Sequence, residues 1–210
     1  MPEEGLFFVF EGVDGSGTTT QAAALTQFLQ QRGHDVVPTR EPGGTPVAER
    51  IRQLVLDPSL PETAYRTELF LYAASRSQHV EELIGPSLSA GKIVVCDRFI
   101  ASTVAYQSFG RGLDKSLVEQ VNQFAVGSCL PDATIFLRLS VEDARLRRQK
   151  RAQEADRLEE AGDELQERVA LGYESIFAGD LQAIEIDARP AQEEVSEAIR
   201  KALLTRWPWL

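Results

Sequence analysis

The sequence predicts an α/β fold, a five-stranded parallel sheet with helices on both faces. Three observations lead there. Residues 6–11, 92–97 and 133–139 are short apolar-rich runs that read as strands, the first apolar at nearly every position, as in a strand buried on both faces. Helical periodicity follows each of them, and strands alternating with helices imply right-handed crossovers. The first run leads into a glycine-rich turn and then a polar helix start, Thr18-Thr19-Thr20-Gln21. Strand, glycine-rich loop and helix N-terminus is the geometry that cradles phosphate. Successive backbone N–H groups point into one concavity, and the helix dipole favours an anion there.

After strand one (6–11), the spacing of Ala22, Leu25, Phe28 and Leu29 predicts a helix over about 19–32, ended by Gly33. A short second strand is expected over 35–39. Arg40-Glu41-Pro42-Gly43-Gly44-Thr45-Pro46 is a loop by composition. Thr45 then Pro46 reads as an N-cap with proline at the first helical position, opening a helix to about Leu56. Asp57-Pro58-Ser59 breaks the chain. Residues 61–89 are helical, with a kink or boundary at Gly85-Pro86. Strand three, 92–97, delivers a carboxylate, Asp97, at its C-terminal end. A short helix over 100–107, a glycine-bracketed loop over 109–113 and a helix over 115–125 come next. Strand four is 133–139, followed by a very basic helix over about 141–152 and a polar stretch over 153–162. A helix over 163–177, strand five over 183–186 and an amphipathic helix over 192–205 complete the chain, with no internal repeat or linker.

Bulk properties narrow the function. A chain of 210 residues is long enough for one domain with a sizeable core. The formal charge of -10 and sequence pI of about 4.8 argue against general binding to nucleic acid or anionic membrane, both of which need basic surface. Local arginines can still receive a small anionic substrate. Cys96 and Cys129 read as buried thiols in a reducing cytosol, and His34 with His79 leaves no zinc cluster. The start Pro2-Glu3-Glu4 does not read as a signal peptide. No run approaches the ~20 apolar residues that span a bilayer. A soluble, cytoplasmic protein is expected.

Ligands of parallel sheets bind at the carboxyl ends of the strands. The loops after strands one, two and three, at 12–17, 40–44 and 97–98, therefore converge on one crevice. Phosphoryl transfer suits such a place, since it needs positioning and charge neutralisation more than covalent chemistry. The pattern G-x-x-x-x-G-K-[ST] fits Gly12 to Thr19 except that Thr18 stands where the phosphate-binding lysine belongs. Thr19 supplies a hydroxyl on the Mg²⁺ side, and Asp97 is where an acid helps hold that ion. Arg40, Arg76 and Arg98 are forks that can grip phosphate bidentately. Arg145, Arg147, Arg148, Lys150 and Arg151 make a cationic segment, and with the polar stretch after it this suggests a lid over about 145–160.

Several blocks resemble the thymidylate kinase family. They are Phe10-Glu11-Gly12 with Asp14-Gly15-Ser16-Gly17; Thr39-Arg40-Glu41-Pro42-Gly43-Gly44-Thr45; Tyr72-Ala73-Ala74-Ser75-Arg76 with Gln78-His79-Val80; and Asp97-Arg98-Phe99 with Ser102 and Ala105-Tyr106-Gln107. Gly110-Arg111-Gly112, Pro131-Asp132 and Asp156-Arg157-Leu158-Glu159 follow in order. The resemblance implies a P-loop NTPase fold in one kinase domain over 1–210, ATP as co-substrate, Mg²⁺, and phosphorylation of dTMP to dTDP for dTTP synthesis. It implies ATP binding by Gly12, Val13, Asp14, Gly15, Ser16, Gly17, Thr18 and Thr19. Arg40 and Arg98 would hold the dTMP phosphate, Asp14 the sugar 3′-OH, and Glu41 would help organise the sugar side and, with Thr19 and Asp97, the magnesium side. Tyr72 would stack on thymine, Arg76 and Ser102 would read its edge, and Tyr106 and Gln107 would close the pocket. Catalytic roles fall to Asp14 and Arg98, and in the lid to Lys150 and Arg151, five or six residues before Asp156. The family also implies a homodimer packed through helices. Arg138 and Ser140 stand where relatives often carry an acid, and no role is assigned to them.

Thr18 motivates a rival reading, a nucleotide-binding protein of this fold with weak or no transfer activity. An enzyme for a related nucleoside monophosphate is a further alternative, which the intact blocks oppose. Each feature also has a purely structural reading: a tight connection for the loop, a helix cap for Asp97, core for Tyr72, a solvated helix face for 145–151. None of these explains why the features gather at one sheet edge.

Overall fold

A computed structural model describes residues 5–60, 63–150 and 162–210. The sheet has five strands, all parallel, in the order β2-β3-β1-β4-β5. These are β1 (Leu6–Glu11), β2 (Val36–Arg40), β3 (Ile93–Asp97), β4 (Ala133–Arg138) and β5 (Ile184–Asp187). β1 is central and buried at every residue. Its side chains alternate between two cores: Leu6, Phe8 and Phe10 join Leu25, Val95, Ile135 and Ile199, whereas Phe7 and Val9 join Val94, Cys96, Phe99 and Ile84. Burial on both faces is why the strand shows no polar alternation.

The helices are α1 (Thr18–Gln31), α2 (Pro46–Leu56), α3 (Tyr65–His79), α4 (Gly85–Ser89), α5 (Ile100–Thr103), α6 (Lys115–Val126), α7 (Val141–Lys150), α8 (Asp163–Phe177) and α9 (Gln192–Arg206). Element order follows the sequence reading, with ends shifted by a residue or two. The predicted helix over 61–89 is three pieces. A π-helical stretch, Val80–Ile84, separates α3 from α4, and the Gly85 N–H bonds the Val80 carbonyl across five residues. Pro86, which has no N–H to give, follows at once.

The second departure lies nearer the crevice. In place of a helix over 100–107 and a loop from 109, α5 runs on into a π-helical stretch, Val104–Gly110, which carries Tyr106 and Gln107. α8 packs closely against it: a Cβ on Gly172 would fall 2.9 Å from Phe109 Cβ and 3.1 Å from Ala105 Cα. Such π turns often mark functional sites. Thr45 precedes α2 as expected, but its hydroxyl makes no capping bond. The Gly44 N–H instead meets Glu49 Oε1 at 2.7 Å. Both cysteines are free thiols, but only Cys96 is buried as expected; Cys129 is half-buried, and burial still pushes its thiol up to about 11.

Register aligns the strand exits. Phe10 and Arg40 both lie opposite Asp97. The Arg98 N–H donates to Phe10 O (2.9 Å) and the Glu41 N–H to Asp97 O (3.0 Å), so the loops after β1, β2 and β3 leave the sheet together.

Candidate active site

Those loops open into a crevice of about 660 Å³. Its walls include residues 14–19 of the glycine-rich loop, Arg40 and Glu41, Tyr72 and Arg76, Asp97 and Arg98, and Ser102, Tyr106 and Gln107. Sequence-predicted residues from five parts of the chain therefore share one cavity. Gly12 and Val13 lie at the loop's root without lining it. Lys150 is exposed at the end of α7 and is not among the lining residues. Arg151 and Asp156-Arg157-Leu158-Glu159 lie outside the described residues, as does most of the predicted lid.

The loop turns tightly, with Ser16 N–H on Val13 O at 3.0 Å, and delivers Thr18 and Thr19 as the first residues of α1. Gly15 has φ 95°, and a Cβ there would come within 2.6 Å of Ala144 O on α7. The absent side chain lets α7 lie against the phosphate loop. Two arginines of α7 then reach loop carbonyls: Arg148 Nη1 donates to Asp14 O at 2.6 Å and Arg147 Nη1 to Ser16 O at 3.5 Å. Arg147 Nη2 also donates to Ala188 O at 2.6 Å.

Thr19 Oγ1 donates to Asp97 Oδ2 at 2.5 Å. The other oxygen of Asp97, Oδ1, is buried and has no hydrogen-bond partner. A bare carboxylate oxygen beside a loop hydroxyl fits Mg²⁺, which keeps most of its ligands as water and phosphate oxygens. Among the described residues no group of three or more His, Cys, Asp and Glu could hold a metal ion by itself.

Arg98 has φ 71°, a left-handed backbone rare for a side-chain-bearing residue. Its Nη1 donates to Gly12 O at 2.8 Å and its Nη2 to Asp14 Oδ1 at 2.5 Å. Burial alone would pull this guanidinium down; Asp14 foremost, then Tyr106 and Tyr173, holds it well above its ordinary value. Asp14 Oδ2 accepts the Tyr106 hydroxyl at 2.6 Å and Gln166 Nε2 at 3.3 Å. The Tyr106 phenol is pushed well up, by burial first and by Asp14 next. Arg40 pairs with Glu49 at 3.0 Å and is half-exposed, so water screens that pair and leaves the fork cheap to redirect.

Other expected contact residues are bonded within the protein. Arg76 Nε donates to Glu41 Oε2 (2.7 Å), Nη1 to Asn122 Oδ1 (2.6 Å) and Nη2 to Phe99 O (3.0 Å). Glu41 Oε1 meets His79 Nδ1 at 3.0 Å. Ser102 Oγ donates to Glu11 Oε2 at 2.6 Å, and Gln107 Nε2 donates to Glu68 Oε1 at 2.9 Å. A buried charge requires partners, and these pairs satisfy that requirement. Glu11, Tyr173, Asn122 and Gln166 are groups at the site to which sequence reasoning gave no role, and Arg147, read only as part of the cationic segment, joins them there. The signal available was an acid, Glu11, at the end of an all-apolar strand.

A parallel sheet whose central strand feeds a phosphate loop, a paired hydroxyl and carboxylate, and arginines on both sides of the crevice define a P-loop phosphotransferase. Comparison with known proteins narrows that class. The family described as "Thymidylate kinase" matches residues 10–199. The thymidylate kinase of Finegoldia magna is 45% identical over 190 residues, covering 90% of this chain and 93% of that protein. That of Halothermothrix orenii is 45% identical over 197 residues, covering 93% and 94%. That of Geobacter sulfurreducens is 40% identical over 210 residues, covering 97% and 99%. The chain belongs to the thymidylate kinase family. Its activity is that of a kinase of nucleotide biosynthesis, the phosphorylation of dTMP to dTDP, and the family implies ATP as co-substrate. Among the described residues no helix is long and apolar enough to cross a membrane.

Proposed function

We propose that the phosphate of dTMP attacks the γ-phosphorus of ATP in this crevice and releases ADP, and that Thr19 and Asp97 would hold Mg²⁺ beside it. The observation that carries the reading is the Thr19–Asp97 bond beside an unpartnered Asp97 oxygen. The ion would supply neutralisation of phosphate charge. The remaining roles belong to the chain. Backbone N–H groups of residues 12–19 bind the ATP phosphates. Arg40 and Arg98 hold the dTMP phosphate; Asp14 orients the sugar and, through its ion pair, Arg98. Tyr72 faces thymine, with Arg76, Ser102, Tyr106 and Gln107 shaping the pocket around it. Glu41 acts through Arg76 and His79, to which both its oxygens are bonded. Arg148 stands in for the charge that Thr18 lacks, with Lys150 and Arg151 completing the basic lid at about 145–160. The whole chain works as one kinase domain in the cytoplasm, with small nucleotides and neither nucleic acid nor membrane as partners.

The test is a coupled assay of ADP release. Turnover with ATP, dTMP and Mg²⁺ is expected, abolished by chelation. It should fall by roughly 10- to 200-fold with dUMP, which lacks one methyl group. Absence of turnover with every pyrimidine monophosphate would sink the proposal. Calorimetry showing dTMP bound but ATP neither bound nor consumed would favour the nucleotide-binding rival instead.

We also propose a homodimer. Phe70 on α3 and Phe124 on α6 are 62% and 92% exposed, unusual for phenylalanine, and α3 packs against both α2 and α6. Val47, Leu54 and Leu117 on these helices are exposed as well, and apolar side chains gathered on neighbouring helices are the kind of surface a second copy covers. Sedimentation should give a dimer for the native chain and a monomer for the doubly substituted Phe70→Asp, Phe124→Asp protein; two monomers would refute the pairing.

A further inference from the structure

We infer that Tyr173, together with Glu11, positions the Arg98 guanidinium to receive the phosphate of the nucleoside monophosphate. This rests on reading Arg98 as a phosphate-gripping residue. Glu11 ends β1 and is fully buried. Its Oε1 accepts the backbone N–H groups of Phe99 (2.8 Å) and Ser102 (3.2 Å). Its Oε2 accepts the hydroxyls of Ser102 (2.6 Å) and Tyr173 (3.1 Å). The helical run beginning at Ile100 has no side-chain cap of its own. A carboxylate from the central strand fills that place.

The residue just before this clamp is Arg98, the one non-glycine with positive φ among the described residues. A left-handed conformation persists only where its surroundings enforce it. Two bonds flank it: Arg98 N–H on Phe10 O and Phe99 N–H on Glu11 Oε1. The side chain is then held at its far end. Arg98 Nη1 lies 3.2 Å from Tyr173 Oη and 3.4 Å from Ser102 Oγ, and those two hydroxyls are 2.8 Å apart. Tyr173 can accept from Arg98 while giving its single proton to Glu11 or Ser102. Its ring is fully buried and stacks on Phe136 and Phe177, with centroids 5.9 and 6.4 Å away, which fixes the hydroxyl. Backbone and guanidinium of Arg98 are therefore set by one buried carboxylate and one phenol, neither of which lines the crevice.

The experiment compares equilibrium binding of dTMP with that of thymidine, which has the same base and sugar but no phosphate. Wild type, Tyr173→Phe, Glu11→Gln and Arg98→Ala are measured side by side. Tyr173→Phe keeps the ring stack, and should weaken dTMP by roughly 3- to 10-fold, the range for one lost hydrogen bond, while thymidine binding stays as in wild type. Glu11→Gln should move the same ratio further; should it fail to fold, Tyr173→Phe decides alone. Arg98→Ala is the reference and should lose most of the preference for dTMP. Equal weakening of both ligands by Tyr173→Phe would mark a merely structural role and overturn the inference. An unchanged Tyr173→Phe ratio beside a collapsed Arg98→Ala ratio would overturn it too. A wild-type ratio in Arg98→Ala would instead remove the phosphate-site reading, and the inference with it.

Discussion

Asp97→Asn is expected to lower turnover by about 10²–10³-fold and to raise the Mg²⁺ concentration needed for half-maximal rate, with little change in thermal stability. Asp97 is 9% exposed, with one oxygen on Thr19 and the other on nothing. A buried acceptor without a donor is a standing cost in the free protein. Asparagine removes the charge and keeps the shape, so the fold loses little and a cation loses its anionic ligand. The measurement is rate against Mg²⁺ concentration for both proteins, with a melting curve for each. A variant with wild-type metal dependence would dissociate Asp97 from the ion. Thermal unfolding adds a second reading, since the native protein should gain stability from Mg²⁺ with nucleotide and the variant should gain less.

Arg148→Ala is expected to cost turnover more than Thr18→Lys restores it. The α7 helix lies against the loop because Gly15 leaves room, and Arg148 reaches the Asp14 carbonyl at 2.6 Å. Its fork has donors to spare beyond that one bond. Losing a charged donor near developing phosphate charge costs about 1.5–3 kcal/mol, or roughly 10- to 100-fold in rate. In the background of Thr18→Lys the same alanine should cost less, because an ammonium then occupies the loop. A double-mutant cycle of kcat measures that coupling. Additive effects, or a larger gain from Thr18→Lys than loss from Arg148→Ala, would show that the α7 cation does not replace the lysine.

What the sequence revealed and what it hid follow from the range of the forces involved. β1 and β3 were legible because a strand buried on both faces must be apolar along its length, and β4 because only its last residue, Arg138, is exposed. The phosphate loop was legible because its turn needs glycine within a few residues. Tertiary contacts decided the rest. The Val104–Gly110 stretch widens to a π helix where α8 leans on Ala105 and Phe109, a pressure that residues 104–110 do not encode. Glu11 finds donors 88, 91 and 162 positions away. Arg76 and Ser102 were assigned to the crevice by resemblance, and they do line it. Their bonds to Asn122, Phe99 and Glu11 could be seen only once the chain was folded.

β1 is paired on both sides and buried at every residue, and the phosphate loop hangs from its end. Amides in such a strand exchange with solvent only when the whole domain opens. The catalytic loop is thus moored to the last part of the molecule to come apart, while the helices beyond it fray at lower cost. Damage elsewhere in the core will then act on abundance more than on quality. It reduces the fraction of chains that are folded and leaves the survivors with nearly native substrate constants.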